Sequence, residues 1–584
     1  MGWNDIGYQS IDLKGVTPNM DKLAAGGVKM TNYYSMPICT PARASLMTGR
    51  YVSRYGLQYN VIDTGAPWGL PLTEKLFPQY MKDGGYETHM IGKWHIGSYE
   101  SSFLPSQRGF DTFMGYLDGG EMYWTHQSNT AKLHGRKFFD FGFGNSTGYY
   151  DIIERPLPDD FRNGTRGDDD NTMLSPTSDS SSSGGFFKGV YSTQVFTDRA
   201  LDILEQKTPF DDEPLYMYLA HQAVHKPLGL PPDGCFSEEE EALLDEIEAG
   251  SEDGSLRKRF AKVLMYLDHS IGELVGYLET EGWMENSIIV LASDNGGCPN
   301  LGGNNYPLRG TKYSYWEGGL KVPAFIFSKS HIPEKRWGTE YNGLMHVTDW
   351  LPTIAKAAGI ELTGGYGPLD GVDHWDYLVD VQKEEEAEFG SPRIELMHNF
   401  DPYMLWASSD DDSYGDPEHR LAQGAFRSGN YKYMANILCS GWYSFDKHSL
   451  AEDHLTNVTL ACDGSPPCSD CTGECSTYNY SDYLFDIEAD PRETTNLIEV
   501  YPDIAHALRD RWVEIALSDF GDSLYEKVDK RSYYVWEKHN WWMVPWWDLA
   551  LGATSDPYGI NATSSSSSSI TDTSWTSTVS SSVE

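Results

Sequence analysis

Between residues 255 and 280, apolar side chains fall at Phe260, Val263, Leu264, Leu267, Ile271, Leu274, Val275 and Leu278. This i, i+3, i+4, i+7 spacing predicts one long helix with a single buried face. Residues 287–292 follow as an unbroken apolar run, the mark of a short strand covered on both faces. Residues 215–220 have the same character, and residues 87–91 a weaker form of it. Strands alternating with helices predict an α/β fold built on a large, mixed, mostly parallel sheet with helices on both faces. Past residue 395 the pattern changes. Residues 425–434 and 483–487 predict strands of a smaller antiparallel sheet, with a helix over 502–517 lying on it. The expected organisation is a catalytic unit over residues 1–395 and a smaller one over 396–548. The Ser/Thr-rich tail, 549–584, reads as disordered.

Two interruptions modify this picture. Residues 164–184 are acidic and then Ser/Gly-rich, which predicts a surface insertion. Residues 235–255 carry an acidic run that reads as a solvated loop or helix face. Trp541, Trp542, Trp546 and Trp547 cluster near the end, either as a strap over the core or as a surface for sugars.

The chain has 584 residues, 86 acidic against 44 basic, and a net charge of -42. That balance argues against nucleic acid and anionic membrane surfaces as partners. No run of about 18 uncharged apolar residues occurs, so no transmembrane helix is expected. No signal peptide is visible after Met1, yet sequons stand at Asn145, Asn163, Asn457, Asn479 and Asn561. Of eight cysteines, Cys462, Cys468, Cys471 and Cys475 crowd one Pro/Gly/Ser-rich loop. Local disulfides fit that loop better than a zinc site, because the spacing is irregular and no histidine is interleaved.

The candidate chemistry begins at residues 39–49, where Cys39, Pro41, Arg43, Thr48 and Gly49 form C-x-P-x-R-x(4)-T-G. That pattern marks a cysteine for conversion to formylglycine. Its simpler reading is a helix start, with Thr40 as cap and Pro41 in the first turn. Four more segments follow predicted strands or open Gly-rich loops: Lys93 and His95; His221, His225 and Lys226; Asp294 and Asn295; and Arg309 and Lys312. The strand-end rim is where open α/β sheets bind ligands. Cations and imidazoles converging there would hold an anion, beside a hard-oxygen metal site begun by Asp294 and Asn295.

With these segments together, the chain resembles the type I, formylglycine-dependent sulfatases, and among them the arylsulfatase B branch that acts on 4-sulfated N-acetylgalactosamine. Residues 17–24, 92–97, 108–111, 302–310 and 394–399 carry the same likeness. The resemblance implies an alkaline-phosphatase-like fold and hydrolysis of sulfate monoesters, on a small molecule or a carbohydrate of the glycosaminoglycan type. It implies Cys39 as the residue oxidised to formylglycine, whose hydrate attacks sulfur. Arg43 and Lys93 would steady that nucleophile, and His95 would bind and later deprotonate its second hydroxyl. His225 and Lys312 would contact the sulfate and the bridging oxygen, with His225 as general acid. Calcium, or magnesium in its place, would be held by Asp294, Asn295 and residue 39. Trp124, Thr125 and His126 would line the substrate pocket. A formylglycine-generating enzyme would be a maturation partner, and passage through the secretory pathway to the lysosome, cell surface or exterior would follow.

The family also places two consecutive aspartates, both metal ligands, at the end of a first strand that would precede Met1. A segment upstream of Met1 is therefore expected in the full protein. The alternative is a truncated chain with unpaired sheet edges. Two further functions stay open: a non-catalytic glycan-binding relative, and a phosphatase or phosphodiesterase of the same fold with a Ser or Thr nucleophile.

Overall fold

The computed structural model describes residues 1–133, 136–145, 148–151, 189–249, 254–401, 422–438, 480–538 and 542–547. The 164–184 insertion, the tail, the cysteine-rich loop, Trp541, and the sequons at Asn163, Asn457, Asn479 and Asn561 lie outside them. Asn145 falls at the end of a described strand.

The strands are β1 (Val28–Met30), β2 (Glu87–Lys93), β3 (Thr112–Tyr116), β4 (Gly142–Asn145), β5 (Gly148–Asp151), β6 (Leu215–Ala220), β7 (Ile289–Ala292), β8 (Ala324–Phe327) and β9 (Thr339–Tyr341). They form two sheets, ordered β5-β4-β3-β2-β6 and β7-β8-β1-β9. Parallel pairing runs through β3-β2-β6 and joins β1 to β9. The remaining pairs, toward β5 and toward β7, are antiparallel.

Alternation along the strands explains the layers. In β8, Ala324 and Ile326 point into one core, and Phe325 points into the other. The first core is closed by α2 (Cys39–Thr48) and α3 (Phe77–Asp83). The second is closed by α1 (Pro18–Ala25), α4 (Ser192–Glu205) and α6 (Gly254–Thr280), whose apolar face is the one the heptad-like spacing predicts. The acidic run before it forms a helix, α5 (Glu238–Ala249), which packs along α6. A further helix, α7 (Trp350–Ala357), joins α2 and α3.

β6 and β7 are edge strands of their respective sheets, and both border one cavity of about 1240 Å³. α6 lines it from one side through Leu267, Ile271 and Leu274, and Leu46, Met81 and Ile354 line it from the other. No described strand lies between them, so these edges carry backbone N–H and C=O groups without a ladder partner. The cavity continues to Cys39.

The C-terminal sheet is β10 (Glu395–Asp401), β11 (Gln423–Ser428), β12 (Tyr431–Leu438) and β13 (Tyr480–Asp486), antiparallel throughout, with α8 (Pro502–Leu517) packed on it. The single strand expected over 425–434 is instead a hairpin. The chain turns at Gly429 and Asn430, with Gly429 in the left-handed region at φ 53°, where a glycine bears no Cβ penalty. Near the end, α9 (Arg531–Lys538) leads to Trp542 and Trp546, both buried. Trp542 stacks on Phe139 at 4.9 Å. These tryptophans form a strap over the core rather than an exposed platform.

One buried ionic network joins the C-terminal sheet to the rest. Lys432 on β12 donates to Glu317 and Glu493, each at 2.9 Å, and all three side chains are fully buried. Tyr34 donates to Glu317 at 2.6 Å, and Arg427 to Tyr34 at 2.5 Å. Burial pushes Glu493 up to about 7; at Glu317 burial is opposed by Lys432, Lys321 and Arg427, which together hold it below the usual range. Glu317 closes the loop that carries Lys312, so the C-terminal sheet anchors part of the rim.

Candidate active site

Cys39 is the first residue of α2 and only 3% exposed. The helix places Arg43 one turn on, and Gly49 ends it in the left-handed conformation that its φ of 66° requires. Arg43 reaches out of the helix to three elements. Its guanidinium donates to the Lys93 carbonyl at 2.9 Å, to the Tyr218 hydroxyl at 3.2 Å and to the Asp294 carboxylate at 3.1 Å. It thus ties together the ends of β2, β6 and β7, around which the rim is built.

The reactive groups meet at the Cys39 sulfur. Lys312 Nζ lies 3.3 Å from it and Asn295 Oδ1 3.5 Å. His95 and His225 are also within hydrogen-bond reach of the thiol. His95 sits at φ 62°, its backbone N–H donating to Leu117 and its Nε2 3.1 Å from the Ile62 carbonyl. Its Nδ1 is buried without a partner. His225 holds its Nδ1 2.7 Å from the Lys226 carbonyl. The Lys312 loop is pinned by its own N–H to Gly297 and by Tyr313 N–H to Pro37, just ahead of α2.

The field of the pocket is cationic. Burial raises the Cys39 thiol, but Lys312 and Lys93 outweigh it and hold the thiol well below its usual range. Burial pushes Lys93 down to about 8. Burial, with Lys93 beside them, pushes His95 and His225 down to about 4, so both are neutral at pH 7. Burial opposes the charge on Lys312 too, yet Cys39 more than offsets it and Lys312 is held above its usual range. That rise belongs to a cysteine at position 39 and goes when the thiol is replaced. A bound anion would raise both imidazoles.

Three of the expected pocket residues lie elsewhere. Trp124 donates its indole N–H to the Leu230 carbonyl at 2.9 Å and packs on Tyr191. His126 is fully buried between Glu121 and the Val190 carbonyl. Thr125 bonds Gln127 in the same turn. None of the three borders the Cys39 cavity. Asp63, Thr64, Gly119, Asn129, Thr130, Lys226, Tyr313 and Tyr533 line it instead. Lys226 belongs to the His221–Lys226 segment already singled out; the others carry no motif and come from segments far apart in the chain.

Behind His95, two buried carboxylates face each other. Asp140 accepts from the Leu117 and Asp118 N–H groups at 2.9 and 3.1 Å, and Ser98 donates to Asp118 at 3.2 Å. Burial pushes Asp118 up to about 6 and Asp140 further. A folded-state value above the unfolded one of about 3.9 means stability is fully present below about pH 4 and is lost as pH rises through about 6. Asp118→Asn should remove that loss. Its melting temperature relative to the parent should climb between pH 4 and 7, and a constant difference would contradict this assignment.

The residues fit a formylglycine at position 39. A buried side chain is surrounded by an unpartnered imidazole nitrogen, an ammonium and an amide oxygen, all suited to a hydrated aldehyde. They do not by themselves fit calcium. Asp294 and Asn295 offer three side-chain oxygens, one of them already paired with Arg43, where six to eight oxygens are usual. Among the described residues no cluster of three or more His, Cys, Asp or Glu is placed to hold a metal.

An α/β sheet rim with a buried, cation-surrounded nucleophile position defines a hydrolase of anionic esters. Residues 1–360 match the sulfatase family, and the chain belongs to it. Sulfatases are sulfuric ester hydrolases. Mouse arylsulfatase J is 35% identical over 514 residues, covering 87% of this chain and 72% of that protein. Bovine arylsulfatase A is 28% identical over 523 residues, covering 86% and 83%. The crystal structure of Ps i-CgsB with k-i-k-neocarrahexaose shares the fold, with a TM-score of 0.63 at 22% identity over 95% of this chain and 97% of that one. No helix among the described residues is long and apolar enough to cross a membrane.

Proposed function

We propose that this chain hydrolyses sulfate monoesters of a carbohydrate, with residue 39 as a formylglycine nucleophile. The observation that carries this reading is the convergence of Lys312, His95, His225 and Asn295, from separate segments, on the Cys39 side chain. The hydrated aldehyde supplies one hydroxyl to attack sulfur and a second whose deprotonation restores the carbonyl as sulfate leaves. Arg43 orients the rim by clamping Lys93 and Asp294, and Lys93 adds positive charge beside the sulfuryl oxygens. The bound anion raises His225, which gives a proton to the bridging oxygen as the alcohol departs, while Lys312 holds the sulfuryl oxygens. Neutral His95, through its free Nδ1, takes the proton of the second hydroxyl. A formylglycine-generating enzyme would prepare residue 39 within the secretory pathway.

If calcium binds, Asp294, Asn295 and residue 39 would hold it and further oxygen ligands would have to complete its shell. Activity on an aryl sulfate and an aryl phosphate tests the reading. Sulfate ester cleavage should exceed phosphate ester cleavage by at least about 100-fold, roughly 2.7 kcal/mol of discrimination. Equal rates, or a preference for phosphate, would favour the phosphatase alternative.

A further inference from the structure

Lys226 follows His225 directly and lines the same cavity as Cys39. It is half-buried, and its ammonium has no hydrogen-bond or ion-pair partner among the described residues. Its surroundings are built closely. Asn129 Nδ2 donates to the Lys226 carbonyl at 3.3 Å. Gly120 lets the two segments approach: a Cβ there would stand 2.9 Å from Asn129 Nδ2 and 3.0 Å from His225 Nδ1. Nearby, the Thr64 and Thr130 hydroxyls are 3.1 Å apart. Asp63 lines the same cavity; burial pushes its carboxyl above the usual range, against a hydrogen bond with Tyr525.

The division of charge is informative. Arg43, Lys93 and Lys312 lie deep, engaged with one another's segments and with residue 39, and suffice for one sulfate. Lys226 follows His225, lines the same cavity and is engaged with none of them. In a chain of net charge -42 a free ammonium in that cavity is a local reversal of the field. Hydroxyl and amide groups beside it suit a sugar ring.

Building on the sulfated-carbohydrate reading, we propose that the substrate carries a second anionic group, a carboxylate or another sulfate, on or next to the ring bearing the cleaved sulfate. Lys226 binds that second anion, and Asp63, Thr64, Asn129 and Thr130 face the ring hydroxyls.

Binding to Cys39→Ala protein, which lacks the nucleophile, tests this apart from turnover. Three probes are compared: a monosulfated neutral disaccharide, a disulfated neutral disaccharide and a monosulfated uronate-containing disaccharide. Adding Lys226→Ala should weaken at least one doubly anionic probe tenfold or more relative to the singly anionic one, and Lys226→Arg should restore the ratio. Loss confined to the uronate probe assigns a carboxylate, and loss confined to the disulfated probe assigns a sulfate. An unchanged ratio, equal weakening of all three probes, or no binding of either doubly anionic probe overturns the proposal. If the unmodified-sequence protein cleaves no sulfate ester, the hydrolase reading fails while this comparison still decides the role of Lys226.

Discussion

Cys39→Ser should abolish sulfate ester hydrolysis, lowering kcat by at least about 10,000-fold while leaving the melting temperature within a degree or two. The change is almost isosteric at a helix start, so α2 and its clamp through Arg43 remain. What is lost is the carbon oxidation state. A serine hydroxyl can attack once, but it has no second hydroxyl on the same carbon for His95 to deprotonate, so sulfate has no route off the enzyme. The substitution also separates the two hydrolase classes this fold could host. A phosphatase of the same fold uses a serine or threonine nucleophile and would keep or gain phosphate ester cleavage. Steady-state assays with both aryl esters read the outcome, and full retention of sulfatase activity would sink the proposed chemistry.

Lys432→Met should destabilise the protein by about 3–5 kcal/mol, the usual result of leaving a buried charge unpaired. Glu317 and Glu493 then face each other with their shared cation gone, in a site with no exposure. The effect should reach the active site, because Glu317 ends the loop that presents Lys312. Activity should fall along with stability, even though Lys432 touches no reacting atom. Adding Glu493→Gln should recover much of the lost stability by removing one of the two carboxylates. Chemical denaturation of the single and double variants measures this, and equal loss in both would show that the network is not electrostatic in origin.

Much of this site was legible from residue order. The C-x-P-x-R-x(4)-T-G pattern places Cys39 and Arg43 on one helix turn, and strand-ending segments place Lys93, Asp294 and Asn295 at one rim. The long helix α6 and the strands β2, β6 and β7 followed from spacing alone. Other features had no local signal. The β11–β12 hairpin hides in a nearly continuous strand-forming run, broken only by Gly429-Asn430. Trp124, Thr125 and His126 lie close in sequence to Gly119, but the chain turns inward there, and His126, at φ 52°, is buried away from the pocket. Asp63, Thr64, Asn129 and Thr130 are ordinary polar residues from separate segments that meet at the cavity only in the fold. The Lys432 network joins residues 61 and 115 positions apart, a distance over which periodicity carries no information.

The central claim is that residue 39 is no longer a cysteine in the working enzyme. Mass spectrometry of the tryptic peptide covering residues 30–43, from protein active on an aryl sulfate, tests it directly. The account predicts a peptide in which the CH2–SH of Cys39 is replaced by CHO, reactive toward a hydrazide and not toward a thiol reagent. An active preparation in which that peptide carries only the unmodified thiol would contradict it.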